Sequence, residues 1–427
     1  MNILDELNWR GLIADCTDTA ELTKRLAASP ITLYCGFDPT ADSLHVGNLV
    51  PLLALRRFQN LGHHPIAVAG GATGSIGDPS GKSQERQLLT KETLAANIAS
   101  VKSQLARLLD FDTKTHPARL VDNASWTAPI SFLDFLRDIG KHFSVNMMVS
   151  KESVRARMED RDVGISYTEF SYLLLQAYDF LELHRRDGCT LQIGGSDQWG
   201  NITAGIDLIR RVTGEQAHGV VFPLLTTSSG TKFGKTEAGT VWLDAKRTSP
   251  FRFYQFWINA ADEDALRYLG LFTLLGQAEV AGLQEAATAD PGARHTQKAL
   301  AEEVTRRVHG EDGLGRARQA TAALFGGELE GLSADEIADI FADVLSSEVE
   351  RGRLTGEGIA AVDLLAGSGL VPSKGEARRS IEGGGIYVNG RRVDDVDARI
   401  TIAQAVEGRF LVLRKGKKNY QLVRVVG

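Results

Sequence analysis

The sequence predicts an α/β fold with a parallel sheet, because apolar strands alternate with helical segments in its first half. Residues 31–37, ITLYCGF, form an apolar run with a glycine near its end. LVPLLALRRFQNLG follows with apolar residues at helical spacing and Pro51 near its start, where a helix tolerates proline. The runs HPIAVAGGATG and CTLQIGGSDQWGN also lead into glycine turns. Ligands bind beyond the carboxyl ends of parallel strands, so we expect a site where these turns gather.

Later segments differ in composition and predict further domains. Residues 131–183 are largely helical in pattern, and their apolar stretch SFLDFLRDIGKHFSVNMM suits a subunit interface. From Pro250 to about 345 the pattern is helical, alanine-rich and acidic, whereas 346–358 is polar and contains glycine, as linkers do. We therefore expect an α/β domain at 1–248, a helical domain at 249–345, a linker at 346–358 and a small α+β unit at 359–427.

Composition indicates a globular protein rather than a membrane or secreted one. Of the 427 residues, 43% are hydrophobic and 24% are charged. No apolar run reaches the ~18 residues of a membrane-spanning helix, and the acidic N-terminus lacks the pattern of a signal peptide. The glycosylation patterns at Asn123 and Asn201 are then chance matches. Cys16, Cys35 and Cys189 are too far apart for a CxxC metal pair or a disulfide framework. We expect a cytoplasmic protein with reduced thiols, no structural metal and no membrane partner.

The C-terminal unit is basic although the whole chain carries a net charge of −6. Residues 351–427 hold 14 Lys and Arg against 8 Asp and Glu, and the remainder holds 34 against 46. A basic tail on an acidic body favours a polyanionic partner that docks at one end. A basic surface that is merely solvated is the alternative.

One polar segment, PTADSLHVGN at 39–48, is suited to phosphate. In it His45 and Asn48 frame a glycine just ahead of a helix. Side-chain donors and the free N–H groups of a helix N-terminus then lie together, and both kinds of group bind phosphate oxygens. A turn with an ordinary helix cap is the alternative interpretation.

A second segment, SSGTKFGKTEAGT at 228–240, carries Lys232 and Lys235 among glycines, with Thr236 beside them. Glycine favours mobility. Mobile lysines suit a reaction in which pyrophosphate leaves, because they neutralise charge that grows in the transition state. A lysine-bearing surface loop is the alternative.

The segment GDPSGKS at 77–83 is similar to a P-loop, but it has three residues between its glycines where that motif needs four. Asp78 and Pro79 would also disturb a phosphate-binding nest, so the sequence argues against a P-loop ATPase. Lys82 and Arg86 can still reach phosphates, or they can form a solvated basic turn.

Together these segments resemble a known family. PTADSLHVGN resembles the HIGH element of class I aminoacyl-tRNA synthetases, and KFGKT resembles their KMSKS loop. YCGFD at 34–38, GDPSGKSQER, YLLLQAYD at 172–179 and QIGGSDQWGN at 192–201 extend the resemblance to the bacterial tyrosyl-tRNA synthetases over essentially the whole chain. Asn48 replaces the second histidine of HIGH and Thr236 the serine of KMSKS. Both replacements keep hydrogen-bonding capacity.

The resemblance implies a tyrosine pocket. Tyr34 and Asp179 would place a hydroxyl and a carboxylate around the phenol O–H, which would select against phenylalanine. Tyr172, Gln176 and Asp179 are four and three residues apart and so share one helix face. A partly polar face packed in a core is the alternative. The remaining implied contacts are Tyr172, Gln176 and Asp78 at the ammonium group and Gln198 near the carboxylate.

The resemblance also implies a nucleotide side, with Asp197, Cys35 and Gly36 near the ribose. The implied ATP-binding residues are Cys35, Gly36, Asp38, Thr40, Gly47, Gly195, Asp197 and Lys235. The implied catalytic residues are His45, Asn48, Lys82, Arg86, Lys232, Lys235 and Thr236.

The C-terminal sequence LVPSKGEARRSIEGGGIYVNGRRV resembles an S4 RNA-binding domain. Its basic side chains would meet tRNA phosphates and make the association dependent on salt. A small solvated module is the alternative. The implied RNA-binding residues are Lys374, Arg378, Arg379, Arg391 and Arg392.

The resemblance thus implies a Rossmann-like catalytic domain, a helical domain and an S4-like domain that together charge tRNA. L-tyrosine would react with ATP to give tyrosyl-adenylate and pyrophosphate, and tyrosine would then pass to the 3′-terminal adenosine of tRNA(Tyr). Mg²⁺ would arrive with ATP, and a homodimer would form through residues 131–183. Two alternatives stay open: a tryptophanyl-tRNA synthetase, which shares the fold and both ATP elements, and an RNA-binding pseudo-enzyme.

Overall fold

The computed structural model describes residues 2–80, 89–151, 154–155, 158, 164–228, 230–231, 233–236, 239–417 and 419–427. The chain divides into two compact units, Met1–Arg247 with Trp257–Val308, and Thr248–Phe256 with His309–Gly427. Residues 309–345, expected in a separate helical domain, therefore group with the C-terminal residues. The expected domain boundaries at 248 and 345 stay a prediction, since a compact unit need not be a functional domain.

A sheet of six described strands forms the centre of the first unit. The strands are β1 (Asp15–Cys16), β2 (Thr32–Phe37), β3 (His64–Ala69), β4 (Arg119–Asp122), β5 (Cys189–Gly195) and β6 (His218–Phe222). They lie in the order β1-β6-β5-β2-β3-β4, and all neighbours pair in parallel except β1, which is antiparallel to β6. This arrangement confirms the predicted α/β class with a parallel sheet.

The strand order reverses between β2 and β5, which are neighbours in the sheet. From β2 the chain continues to β3 and β4 on one side, and from β5 it continues to β6 on the other. The loops that follow β2 and β5 therefore diverge and leave a crevice at the carboxyl ends of these strands. Gly36 is the one exposed residue of β2, so the strand is open near its end, as the edge of a crevice requires.

Helices make up most of the remaining structure. In chain order, the described α-helices are α1 (Ile3–Trp9), α2 (Thr19–Ala28), α3 (Leu49–Asn60), α4 (Lys91–Leu108), α5 (Ala124–Thr127), α6 (Phe132–Asp138), α7 (Val145–Ser150), α8 (Tyr167–Asp187), α9 (Trp199–Thr213), α10 (Pro250–Ile258), α11 (Asp262–Phe272), α12 (Gln277–Ala289), α13 (His295–Leu324), α14 (Ala334–Ile340), α15 (Arg351–Leu354), α16 (Ala361–Gly367) and α17 (Lys374–Glu382). Among these helices, none is long and apolar enough to cross a membrane.

The sequence specifies both ends of α8, the helix that carries three predicted site residues. The Ser166 side chain accepts a hydrogen bond from the Glu169 backbone N–H and so caps the first turn. Gly188 ends the helix in the left-handed conformation (φ 59°), which glycine adopts without strain. Between these ends Tyr172 and Asp179 are both buried, as is every residue from Ala177 to His184.

The lysine segment, residues 230–240, is anchored at its start by an aromatic cluster. Phe233 stacks on Phe272 with ring centroids 4.9 Å apart and meets Tyr268 edge-on at 5.0 Å and Trp257 at 5.8 Å. The segment ends in a hairpin of β7 (Lys235–Thr236) and β8 (Gly239–Thr240). Because two of the cluster's rings belong to α11, that helix helps to set where the lysine segment begins.

Two arginines bind the C-terminal end of α11. Arg10 donates to the carbonyl oxygens of Gly270 (2.8 Å) and Leu275 (2.6 Å). Arg57, from α3, donates to those of Leu271 (2.9 Å) and Thr273 (2.8 Å). The last carbonyls of a helix lack helical partners and carry partial negative charge, so cationic donors stabilise them.

The second unit contains a five-stranded sheet and a small hydrophobic core. Its described strands are β9 (Ser346–Glu350), β10 (Ile359–Ala360), β11 (Ile386–Val388), β12 (Arg391–Arg392), β13 (Arg399–Ile400), β14 (Phe410–Lys415) and β15 (Asn419–Val426). The sheet order is β12-β11-β14-β15-β9, and β10 pairs separately with β13. Helix α14 and its neighbours pack against this sheet in a cluster formed by Ala320, Ala323, Leu329, Leu332, Ala334, Ile337, Ile340, Phe341, Phe410, Val412 and Leu422.

The interpretation of 346–358 as a linker is wrong for its first half. Ser346–Glu350 forms β9, which pairs in parallel with β15, and α15 follows directly. Within β9 only Val349 is buried. An edge strand with only one buried side chain resembles a linker in composition. The strand that pairs with it lies more than 70 residues further along the chain, so local sequence does not reveal the pairing.

Candidate active site

Tyr34 and Asp179, the predicted partners of a phenol, come from β2 and α8. Tyr34 is 1% exposed, and its ring meets Phe180 edge-on with the centroids 5.2 Å apart. Its Oη is buried and makes no hydrogen bond to any described residue. Burial, followed by the charge of Asp179, raises the pKa of the Tyr34 phenol well above its usual value. A buried hydroxyl with unused hydrogen-bonding capacity indicates a ligand position.

Two donors orient the Asp179 carboxylate. Trp126 Nε1 donates to Oδ1 at 2.7 Å, and Asn123 Nδ2 donates to Oδ2 at 2.9 Å. Burial raises the pKa of Asp179 to about 7, although both donors oppose this shift. Each carboxylate oxygen has a second lone pair, so the group can also accept from a ligand O–H.

A chain of hydrogen bonds continues from Asn123 to the predicted ammonium site. Asn123 Nδ2 donates to Thr73 Oγ1 at 2.9 Å, and the Thr73 hydroxyl donates to Asp38 Oδ1 at 2.7 Å. The Tyr172 hydroxyl donates to Asp38 Oδ2, also at 2.7 Å. Asp38, which the sequence predicts on the ATP side, therefore orients a residue predicted on the tyrosine side.

An amide network brings together three further predicted residues. Asn201 Nδ2 donates to Gln176 Oε1 at 3.0 Å and to Gln198 Oε1 at 3.1 Å. Gln198 Nε2 donates to Asp78 Oδ2 at 2.6 Å. Burial raises the pKa of Tyr172 well above its usual value, and the charges of Asp38 and Asp78 add to the shift. Carboxylates gathered around Tyr172 create a negative potential that suits a cation such as an ammonium group.

The predicted nucleotide-binding residues lie at the ends of β2 and β5. Cys35 is buried, and burial raises the pKa of its thiol to about 12. A side chain at Gly36 would contact no other residue. The space beside this stretch of backbone is therefore open, and a ligand can lie against it. Gly195 ends β5, and Asp197 follows it in a 3₁₀ turn. Thr40 is exposed in the loop after β2.

The exposed His45 is held by the turn that precedes α3. Its Nδ1 accepts from the Gly47 backbone N–H at 3.0 Å, and its own backbone N–H donates to Asn48 Oδ1 at 3.0 Å. Since Nδ1 is the acceptor, the proton of the neutral imidazole is on Nε2, which can donate to an anionic oxygen. A side chain at Gly47 would lie 2.8 Å from His45 Cε1 and would displace the imidazole.

One described residue of the lysine segment, Gly234, lies against Val46, the neighbour of His45 in the chain. Gly234 has φ 79°, and a Cβ there would be 2.6 Å from Val46 Cγ2. Lys82, Arg86 and Lys232 lie outside the described residues, and for Lys235 and Thr236 only the backbone, in β7, is described.

Sequence reasoning missed Thr73, Asn123, Trp126 and Asn201 as site residues. Asn201 is in a quoted block, but its role at the centre of the amide network depends on side chains from three elements. Thr73 and Asn123 follow the ends of β3 and β4. Polar residues just beyond parallel strands are a signal that could have found them.

The predicted RNA-binding residues lie in the second unit on α17 and β12. Lys374, Arg378 and Arg379 are exposed on α17, and Arg391 and Arg392 are exposed on β12. Lys374 pairs with Asp363 at 2.8 Å, and Arg392 pairs with Asp394 at 2.7 Å. Exposed pairs of this kind contribute little to stability and exchange readily for phosphate.

No group of three or more metal-ligating side chains occurs among the residues that the structure describes.

A family model for class I tRNA synthetases (W and Y) matches residues 26–326, and one for a tyrosine–tRNA ligase SYY-like C-terminal domain matches 336–423. The chain is 58% identical to a tyrosine–tRNA ligase of Opitutus terrae and 56% identical to one of Roseiflexus castenholzii, and each comparison covers 99–100% of both chains. The chain belongs to the tyrosine–tRNA ligase family.

Solved structures agree with this family. A C-terminally truncated mitochondrial tyrosyl-tRNA synthetase of Aspergillus nidulans superposes with a TM-score of 0.70 at 32% identity, over 76% of this chain and 94% of that one. A tryptophanyl-tRNA synthetase of Encephalitozoon cuniculi, at 14% identity and a TM-score of 0.53, shares the fold alone. The family assignment thus favours tyrosine over the tryptophan alternative.

Proposed function

We propose that the chain activates L-tyrosine with ATP and transfers it to tRNA(Tyr). Two observations carry the proposal: Tyr34 Oη is buried without a described hydrogen-bond partner, and it lies close enough to the Asp179 carboxylate for that charge to raise the pKa of Tyr34. One group can donate and both can accept, which suits a phenol O–H. Phenylalanine would leave the buried Tyr34 hydroxyl without a partner, at a cost of about 1–3 kcal/mol, and would give Asp179 no donor beyond Trp126 and Asn123.

The amino-acid backbone of tyrosine binds at the polar side of this pocket. Tyr172, Gln176 and Asp78 offer oxygen atoms to the ammonium group, and Gln198 offers its amide to the carboxylate. The hydrogen bonds of Asp78 to Gln198 and of Gln176 to Asn201 support this arrangement, because they fix the acceptors before the substrate arrives.

In the first step a carboxylate oxygen of tyrosine attacks the α-phosphorus of ATP. A new O–P bond forms, the bond to the β-phosphate oxygen breaks, and pyrophosphate leaves with the electron pair. His45 Nε2–H, Asn48 and the lysines stabilise the charge on the leaving oxygens, and no protein base is required. Mg²⁺ enters as part of the ATP substrate and neutralises phosphate charge.

In the second step the 3′-terminal adenosine of tRNA(Tyr) accepts the tyrosyl group through a ribose hydroxyl, and AMP leaves. We assign Lys374, Arg378, Arg379, Arg391 and Arg392 to tRNA phosphates, supported by their exposure and by the basic excess of residues 351–427. The substrates place the proposed activity in the cytoplasm, where tRNA is charged.

We also propose a homodimer that forms through residues 131–183. Phe132 is 64% exposed, Leu133 is 76% exposed and Val145 is 64% exposed, and all three lie on α6 and α7. Neighbouring exposed apolar residues of this size indicate a protein interface. Leu133→Asp should shift the chain from dimer toward monomer in sedimentation velocity, and an unchanged dimer would contradict the assignment.

Pyrophosphate exchange tests the activity directly. Tyrosine should drive exchange between ATP and labelled pyrophosphate, and phenylalanine and tryptophan should not. Exchange with tryptophan alone would favour the tryptophanyl alternative, and no exchange with any amino acid would favour the pseudo-enzyme.

Two variants test the phenol contacts. Tyr34→Phe should lower kcat/KM for tyrosine about 2- to 13-fold, the value of one hydrogen bond, and Asp179→Ala should lower it about 100-fold or more. The KM for ATP should change little in either variant. Tyr178→Phe, which removes the phenolic hydroxyl of another tyrosine in the same core cluster, is the matched control and should retain activity. An equal loss of tyrosine and ATP binding in Asp179→Ala would contradict the role of Asp179.

A further inference from the structure

Residues 241–243, which directly follow the lysine segment, run beside the His45 turn. Val46 N–H donates to the Val241 carbonyl at 3.1 Å, and Leu243 N–H donates to the Leu44 carbonyl at 2.8 Å. Between these bonds His45 and Trp242 are opposite one another in an antiparallel bridge. Val241–Leu243, here called the stem, therefore holds the backbone on both sides of the imidazole.

The stem is also bonded to the lysine segment itself. Val241 N–H donates to the Gly234 carbonyl at 3.0 Å, while the carbonyl of the same residue accepts from Val46. One residue of the stem thus joins the lysine segment to the His45 turn. A displacement of Gly234 would pull directly on the strand that carries Trp242.

The Trp242 ring contacts both the His45 imidazole and the Arg247 guanidinium. Its centroid is 6.3 Å from that of the imidazole, in an edge-type contact at 62°. The Arg247 guanidinium carbon lies 3.9 Å from the Trp242 centroid, and Arg247 Nη1 donates to Asp42 Oδ1 at 2.7 Å. Stacking by a paired guanidinium restricts the indole, because the ring cannot rotate without losing that contact.

We propose that Trp242 is a positioning residue, which braces the His45 imidazole and transmits to it the position of the lysine segment. The brace keeps Nε2–H aimed at the phosphate side while the Gly47 N–H holds Nδ1. The inference rests on the proposed role of His45 at the triphosphate. It adds that the two ATP elements act as one unit through a residue outside both.

A double-mutant cycle in the full-length protein tests this coupling. We would measure the first-order rate of tyrosyl-adenylate formation at saturating substrates for Trp242→Leu, His45→Ala and the double variant. Trp242→Leu alone should lower the rate about 3- to 10-fold, the value of an aromatic contact, with little change in KM for tyrosine. In the His45→Ala background the same change should have almost no further effect, because the residue acts through the imidazole.

Two further variants keep the result interpretable. Trp242→Phe retains an aromatic edge and should recover most of the rate, even if the leucine variant folds poorly. Trp9→Leu removes a tryptophan that also stacks with an arginine, Arg10, at 4.1 Å, and should leave the rate unchanged.

The outcomes separate the two claims. Equal losses from Trp242→Leu in both backgrounds, or no loss in either, would overturn the positioning role while leaving the proposed function intact. An unaffected rate in His45→Ala would overturn the role of His45 and the brace with it.

Discussion

Asp179 is held between burial, which favours the neutral acid, and two donors, which favour the carboxylate. Burial has the larger effect, and it raises the pKa of the Asp179 carboxyl in the ligand-free protein to about 7. The residue proposed to bind the phenol therefore carries a charge that is costly in the empty pocket. A phenol O–H bound there would offset part of that cost as a third donor.

The raised pKa of Asp179 predicts a dependence of stability on pH. The folded protein holds this proton more tightly than the unfolded chain, so its contribution is complete below about pH 4 and is lost as pH rises through 7. Asp179→Asn cannot titrate there. In urea unfolding from pH 5 to 8, the free energy of unfolding of the variant minus that of the wild type should increase with pH, by at most about 3 kcal/mol. A difference that does not vary with pH would contradict this.

Gly47 predicts a second effect at a single residue. A methyl group there would lie 2.8 Å from His45 Cε1 and 2.9 Å from Nδ1, so Gly47→Ala must displace the ring. We expect kcat for pyrophosphate exchange to fall about 10- to 100-fold, with an unchanged KM for tyrosine. Gly282→Ala, whose added methyl meets open space, is the control. Wild-type exchange by Gly47→Ala would show that the position of His45 is unimportant.

Helix α11 has a larger role than its distance in sequence from the site suggests. Its C-terminal carbonyls are bound by Arg10 and Arg57, and its rings Tyr268 and Phe272 hold Phe233. Arg57 belongs to α3, the helix that follows His45. One helix thus connects the end of α3 to the start of the lysine segment.

The aromatic cluster predicts how the lysine segment is released. Phe233→Ala removes the ring that contacts Trp257, Tyr268 and Phe272, so local opening becomes easier. Tryptic cleavage after Lys235 should become at least about tenfold faster, because a buried phenylalanine contributes about 3–5 kcal/mol. The exposed Phe325→Ala is the control. New N-termini at Thr236, counted by mass spectrometry, measure the effect, and equal rates would argue against the anchor.

Local periodicity was enough to predict the alternating strands and helices and the shared face of Tyr172, Gln176 and Asp179. Asn123, Trp126 and Thr73 could not be found in this way, because the strand order brings the ends of β3 and β4 to α8. Strand β9 was mistaken for a linker for the same reason. The burial of Val349, its one buried residue, can be understood only once β9 is paired with β15.

At the scale of the whole molecule, the C-terminal sheet and residues 309–345 share one hydrophobic cluster. Ile337 and Phe341 pack in it with Phe410, Val412 and Leu422. A division at the expected linker would therefore separate the two halves of a core, although the composition of the sequence changes near residue 346.

Two truncations test this division. Residues 1–326 should retain pyrophosphate exchange with tyrosine and lose at least about tenfold in tRNA charging, as the basic phosphate contacts are gone. Residues 1–355 should be less stable than the full-length chain, because Leu329, Ile337 and Phe341 are left without the strands that cover them, at about 1.5–3 kcal/mol for each. Thermal unfolding and light scattering compare this truncation with the full-length chain, and a 1–355 chain that is no less stable would contradict the shared core.

The amide of Asn123 has a practical consequence for producing this protein. Asn123-Ala-Ser is an acceptor sequence for N-linked oligosaccharide, and Asn123 is buried with both amide hydrogens donated, to Asp179 and to Thr73. A sugar attached to Nδ2 would take one of those hydrogens and could not be buried. Expression through a eukaryotic secretory route would thus disrupt this hydrogen-bond network, and preventing the damage requires removing both this acceptor sequence and Asn201-Ile-Thr, whose asparagine is also buried.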